Sequence, residues 1–454
     1  MFQMKFSTIL LCTLFTIFVI ASKVVFDKIY QTARLIIDEE FHFQLGEAYC
    51  RYEFDKWHPK ITTFPGLYLF SNLLLGPFDL CSSYWLRLTS LVSSFANLIL
   101  FYCLLNLNNE QPKWQNAISA TSLSLLPPMY FFGHLYYTDT VSLTMVSVLF
   151  LLSQRKHHYF ASIFGLFSVL CRQTNIIWVL MAFGCYVLKD VNNICNKSRK
   201  TDCVSAKELV ELLKLAKGKN LLMTIKKMPF VFWLNATCYG SLLLIFALFV
   251  YMHGSIVVGD KTAHEATIHL PQLFYFSLFC LFFAWPHFVT EITGFLKFVK
   301  RHKIISLAVV LSSVAIVHFN TLVHPYVLAD NRHYIFYIWN RFYGRYFWFR
   351  YCVVPVYLFA WFVIVRKLWD RLDVTFLLFF IPCTTVVLVT QKLLEFRYFF
   401  IPYVLFRTHL KNADVRFVLC EFVTYCVLNF CTLYIFFNKT IEWENFDCPQ
   451  RLIW

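Results

Sequence analysis

The sequence predicts an all-α, polytopic membrane protein, and three observations carry that prediction. Of 454 residues, 59% are hydrophobic and 20% are aromatic. The mean hydropathy is +0.58. Apolar stretches of about 20 residues, the length a helix needs to cross a hydrocarbon core, recur from end to end. Runs such as 84–106, 229–252 and 304–323 are apolar all round, unlike the short alternating segments of a membrane β-barrel. The net charge of +15 would point to nucleic acid in a soluble protein. Here the Lys and Arg residues fall in the gaps between apolar runs, where they report topology rather than a nucleic-acid groove.

Loop charge orders the elements. The gap 189–228 holds ten Lys or Arg against four acids, and the gaps at 154–158, 296–303, 366–371 and 411–416 are also basic. All are expected on the cytosolic side. Thirteen spans of a single 1–454 membrane domain then follow, near 6–26, 84–106, 115–137, 139–153, 159–172, 175–188, 229–252, 272–289, 304–323, 347–365, 374–390, 396–410 and 415–437. A cleaved signal peptide is the alternative reading of the first run, which follows Lys5. Parity leaves 64–80, interrupted by Pro65, Gly66, Gly76 and Pro77, on the lumenal surface or re-entrant. The other face collects 27–83 as a first lumenal loop with surface helices, together with 136–140, 172–175, 253–271, 324–346 and 391–397. Chemistry is expected there.

Sixteen cysteines sit mostly inside apolar runs, with no CxxC pair and no zinc-type spacing. Most read as small buried hydrophobes. Cys50, Cys81 and Cys448 are candidates to pair in an oxidising lumen, with no partner choice legible. Of the sequons at Asn196, Asn235 and Asn438, the first falls in the cytosolic gap and the second within a span; the third is lumenal but close to the bilayer.

Two polar stretches stand out. Asp38, Glu39, Glu40 and His42 form the densest acidic cluster. Ionised carboxylates are costly beside lipid, so such a cluster faces water, a cation or a substrate hydroxyl, unless it merely favours the dipole of the adjacent helix. The stretch 324–351 carries Arg332, Arg341, Arg345 and Arg350 on the side that should be poor in arginine. Planar guanidinium donors suit phosphate and interleaved aromatics offer stacking faces for sugars; an aromatic girdle with snorkelling arginines is the plainer reading. The polar core Asp330, Asn331, Arg332 and His333 favours a lipid phosphate or pyrophosphate. Arg397 is the next candidate, with a Glu395–Arg397 structural pair as its alternative. Arg172, with Gln173 and Asn175, is a polar break between short apolar runs that either functions or caps.

The strings DEEFH (38–42), WHPKITTFPGLY (57–68), LYYTD (135–139), RQTNIIW (172–178), HPYVLADNRHYIFYIW (324–339) and EFRYFFIPY (395–403) together resemble the endoplasmic-reticulum dolichyl-phosphate-glucose α-1,2-glucosyltransferase family. The resemblance runs in order from the first span to the last. It implies a GT-C type helix bundle whose first lumenal loop carries the catalytic carboxylate. The implied donor is dolichyl-phosphate glucose, and the implied acceptor is the diglucosylated oligosaccharide on dolichyl pyrophosphate. The family's base position falls on Asp38 or Glu39, with Asp38 preferred. Substrate or phosphate contacts are expected from His42, Arg172, Asp330, Asn331, Arg332, His333, Glu395 and Arg397. No cofactor, metal or nucleic acid is implied. One departure is His58, where the family generally carries an acid.

The physical chemistry of the substrates that the resemblance implies agrees. A β-linked sugar phosphate that ends in an α linkage has inverted once, which calls for one base and no covalent sugar–enzyme intermediate. Phosphate is already a good leaving group and needs charge neutralisation more than protonation. The competing classes are a transporter or flippase of a phosphorylated lipid or organic anion, and a scaffold. Transport would want ionisable groups at span centres, which 84–106, 229–252, 304–323 and 374–390 do not offer. A scaffold would leave the acidic and arginine-rich stretches apart.

Overall fold

Helix dominates because apolar runs in a membrane must satisfy their backbone internally. The computed structural model of the chain describes residues 2–33, 36–195, 203–216, 226–260, 267–370, 372–411, 413–443 and 449–454. Asn196, Cys448 and the stretches 196–202 and 217–225 of the basic gap lie outside the described residues. Among those described, seven helices are long and apolar enough to cross a membrane, and an eighth span arises if the bent pair Pro271–Phe283 and Trp285–Arg301 counts as one. The protein is a multi-pass helical membrane protein.

The other five predicted spans are shorter or broken helices. The segment 115–137 is not one span: Lys113–Ser124 ends before Pro127, which opens the separate helix Pro127–Phe132. A proline there lacks the N–H that would continue the first helix. Likewise 272–289 bends by 96° at a break before Pro286. The helices Thr138–Gln154, His158–Cys171, Thr375–Val389 and Phe400–Thr408 are compact members of the bundle. Thr138–Gln154 is buried along most of its length, so protein rather than lipid sets its length.

The helix Ser83–Asn108 is the central post. Phe2–Thr32, Lys113–Ser124 and Thr138–Gln154 pack around it, with Phe101, Leu104 and Leu149 in the main core. The segment 64–80 forms the helix Gly66–Leu75 and a 3-10 turn at Gly76–Phe78. At about 1.5 Å per residue it falls short of a bilayer core. It lies against the end of His158–Cys171, where a Cβ on Gly66 would sit 2.4 Å from the Leu170 carbonyl carbon. Cys50 and Cys81 form a disulfide that ties the helix Glu39–Cys50 to the start of the central post.

Three local features shape the edge of the site. Ile37 takes a φ of 53°, a left-handed conformation unusual for a β-branched residue, just before Asp38. His58 stacks on Phe41, and its Nδ1 accepts from the Lys60 N–H at 3.2 Å, which fastens the turn through Pro59. Near the end of the chain, Gln450–Arg451 pairs antiparallel with Thr440–Ile441. Ile453 continues this segment as a bridge to His333, so the loop through Arg332 is held by backbone bonds.

Candidate active site

The acidic and arginine-rich stretches, some 290 residues apart in sequence, face each other across one cavity of about 570 Å³. That volume is in the range of small-molecule sites, about 300–1,000 Å³. Parts of the segments 37–42, 60–63, 326–336 and 393–398 contribute walls, closed by Thr138, Arg172, Asp260 and Trp443. The separation expected of a scaffold is not found.

Adjacent acids in the cluster part company. Asp38 lines the cavity with its side chain 51% exposed. Glu39, one residue on, points into the protein with no exposure and is gripped by Arg87. This corrects the expectation that either could face a substrate: helical geometry turns neighbouring side chains about 100° apart, and only one reaches the cavity. His42 lines the cavity too, its Nδ1 2.6 Å from the Tyr68 hydroxyl. Burial pushes its pKa down to about 4, against the attraction of Asp38, so the imidazole is neutral at pH 7.

Opposite lies a charge relay of arginines and carboxylates. Arg397, 11% exposed, pairs with Glu395 at 2.6 Å and faces Asp38 at 3.6 Å and Asp139 at 3.7 Å. Its guanidinium also stands over the Phe132 and Tyr137 rings. Arg172 meets Asp139 at 3.1 Å and lies over the Tyr398 ring. The 3-10 turn Gln173–Asn175 explains the polar break: Asn175 donates to Ser142 and to the Ser168 carbonyl, while Gln173 donates to the Thr62 carbonyl. Two guanidiniums of the cavity wall thus converge on one buried carboxylate, Asp139, and present planar donors suited to an anion.

The arginines of 324–351 divide. Arg332 lines the cavity but is internally compensated: Asp330 accepts from its Nε and Nη2 at 2.9 and 2.8 Å, Gln450 accepts from Nη1, and Trp443 stacks on it at 4.3 Å. Burial alone would raise the Asp330 carboxyl, but hydrogen bonds from Arg332 and the nearby His333 outweigh it and hold it below its usual range. Asn331 does not line the cavity; it accepts from Trp443 Nε1 at 2.8 Å. His333 lies on the wall with Nδ1 3.0 Å from the Trp454 carbonyl oxygen. Arg341, Arg345 and Arg350 instead stack on Tyr337, Tyr346 and Phe347, as an aromatic girdle would have them. Among the described residues no group of three or more His, Cys, Asp or Glu is arranged to hold a metal ion.

Each walled segment carries one of the strings set out above, and the family's sequence model matches residues 32–408. The chain belongs to the DIE2/ALG10 family. Three relatives are similar over nearly their whole length. A Drosophila melanogaster protein named Dol-P-Glc:Glc(2)Man(9)GlcNAc(2)-PP-Dol alpha-1,2-glucosyltransferase is 42% identical over 96% of this chain and 97% of its own. Proteins of the same name from Homo sapiens and Arabidopsis thaliana are 36% and 30% identical, each over 92% of this chain and 93% and 94% of their own.

Sequence reasoning passed over Asp139, Arg87, Lys60 and Trp443. Asp139 ends the LYYTD string, and Arg87 is a charge within an apolar run, so both carried a signal. Lys60 lies within the WHPKITTFPGLY string and so carried one too; Trp443 carried none, because only the fold brings it to the cavity.

Proposed function

We propose that this chain is an inverting glucosyltransferase that moves glucose from dolichyl-phosphate glucose to the diglucosylated oligosaccharide on dolichyl pyrophosphate, making the terminal α-1,2 linkage used in protein N-glycosylation. The observation that carries the reading is the open Asp38 carboxylate facing the Arg397 guanidinium, 3.6 Å away, in a cavity of sugar-phosphate size. The activity by which the three relatives above are named supports it.

In this reading Asp38 takes the proton from the acceptor glucose 2-hydroxyl as that oxygen bonds to C1 of the donor glucose. The C1–O bond to phosphate breaks on the opposite face, and dolichyl phosphate leaves with the electron pair. One base and one displacement invert the β-phosphate to an α linkage. Arg397 and Arg172 neutralise the charge that builds on the departing phosphate. Arg332 holds its loop through Asp330 and Gln450 and presents its edge to the cavity. His42, neutral, supplies a hydrogen bond rather than a proton.

The whole chain then reads as one GT-C type membrane domain of the endoplasmic reticulum with its cavity on the lumenal side. Supporting this, the Cys50–Cys81 bridge, at the far end of the helix that starts at the cavity, suits an oxidising compartment, and the basic gaps 154–158 and 366–371 suit the cytosol. The transporter reading draws no support from the three relatives named above, each of which carries a transferase name. In microsomes supplied with both glycolipids, Asp38→Asn is expected to abolish glucose transfer while the protein inserts at normal abundance. Undiminished turnover would remove Asp38 as the base.

A further inference from the structure

Behind the cavity wall sits a buried ion pair that touches no part of the cavity. Glu39 and Arg87 are both fully enclosed. Arg87 donates from Nε and Nη2 to the two oxygens of Glu39 at 2.8 and 2.6 Å, a two-pronged fork that fixes direction as well as distance. Glu39 Oε1 also accepts from the Tyr136 backbone N–H at 2.8 Å, and Arg87 Nη1 donates to the Ala33 carbonyl at 3.2 Å. A further stitch runs from the Tyr137 hydroxyl to the Ile36 carbonyl at 2.8 Å. Together these bonds clamp Ala33, Ile36 and Glu39 to Arg87, Tyr136 and Tyr137, with the central post as anchor.

What the clamp holds in register is the reacting machinery. Asp38 is the neighbour of Glu39, and Asp139 follows Tyr136 by three residues; their carboxylates face the same Arg397 at 3.6 and 3.7 Å. A buried ion pair is seldom more stabilising than apolar side chains of the same volume, so its directional bonds are the property that distinguishes it. We infer that Arg87 and Glu39 are positioning residues: the pair sets where the Asp38 carboxylate stands relative to Arg397 and Asp139, and so where the base meets the acceptor hydroxyl. The inference rests on Asp38 as base, and it adds a residue, Arg87, that never touches substrate.

Two conservative variants test it in the full-length chain, purified in detergent and assayed with dolichyl-phosphate glucose and the diglucosylated lipid. Glu39→Asp keeps the charge but draws the anchor back by one methylene. Arg87→Lys keeps the charge but cannot form the fork. Displacements of about 1 Å cost on the order of 100-fold in rate. The expected result is a kcat lowered about 10- to 100-fold per molecule of monodisperse protein. Both KM values should stay within about threefold, and the pH profile should keep its shape because Asp38 is still the base. Should Arg87→Lys fail to fold, Glu39→Asp decides. Unchanged kcat per folded molecule, a rise in KM alone, or loss of folded protein in both variants would each overturn the proposal and leave a merely structural pair. Inactivity of the unsubstituted chain with the same two lipids would instead overturn the glucosyl-transfer reading itself, and this inference with it.

Discussion

Arg397 has the most to do among the cavity's side chains, because three carboxylates compete for one guanidinium that is almost out of reach of water. Lysine keeps the charge but not the planar fork. Arg397→Lys is therefore expected to lower kcat/KM for the donor by about 100-fold; steady-state kinetics at native-like purity check this, and wild-type values would remove Arg397 from phosphate stabilisation. His42 behaves oppositely, through a proton it does not carry. Its folded pKa of about 4 lies below the unfolded value of about 6.5, so the unfolded chain binds more protons between those values. The stability contributed by the neutral imidazole is full above about pH 6.5 and is lost as pH falls towards 4. His42→Gln should accordingly lose less thermal stability than the parent between pH 7.5 and pH 5, as melting midpoints in detergent would show. An equal loss in both would mean that His42 does not titrate in that window.

At the level of elements, the short helices are the ones that build the site. Glu39–Cys50 spans only twelve residues and leans on the Gly66–Leu75 helix for its core, with Phe43, Tyr49 and Leu67 packed together. The Cys50–Cys81 bridge closes that unit at its far end from Asp38. Replacing both cysteines by serine is expected to cost about 2–4 kcal/mol of stability. The readout is a lower thermal-inactivation midpoint with transfer retained at low temperature; an unchanged midpoint would show that packing alone holds the unit. Elsewhere, Phe400–Thr408 and Val415–Asn438 are joined by a buried Arg407–Glu421 pair that also engages Tyr403 and Tyr425. These charges lie within predicted spans, yet they compensate each other between helices and mark no transport path. The predicted span 396–410 was legible as apolar, but the buried pair within its packing was not, since Arg407 and Glu421 in separate runs do not announce each other.

Taken whole, the molecule brings six strings scattered from residue 38 to residue 403 around one cavity and its supports. The helical, multi-pass class was legible in the sequence because lipid admits few ways to satisfy a backbone, and apolar length reports that constraint directly. The identities of Asp38, Arg172, Arg332 and Arg397 as candidates were legible for a related reason: charges beside lipid are expensive enough to stand out. Span integrity was less so. The breaks before Pro127 and Pro286 follow from proline chemistry, but whether a proline kinks, bends or ends a helix depends on what packs around it. The roles of neighbours were not legible at all. Asp38 and Glu39 are equally acidic in sequence, and only the direction of each side chain on its turn makes one open to a substrate and the other a buried partner of Arg87. By itself, then, the sequence determined the class, the family and the stock of charges, because those follow from composition and local order. Tertiary structure decided which charges are spent on one another and which remain facing the cavity, because pairing depends on distances between elements that no local pattern encodes.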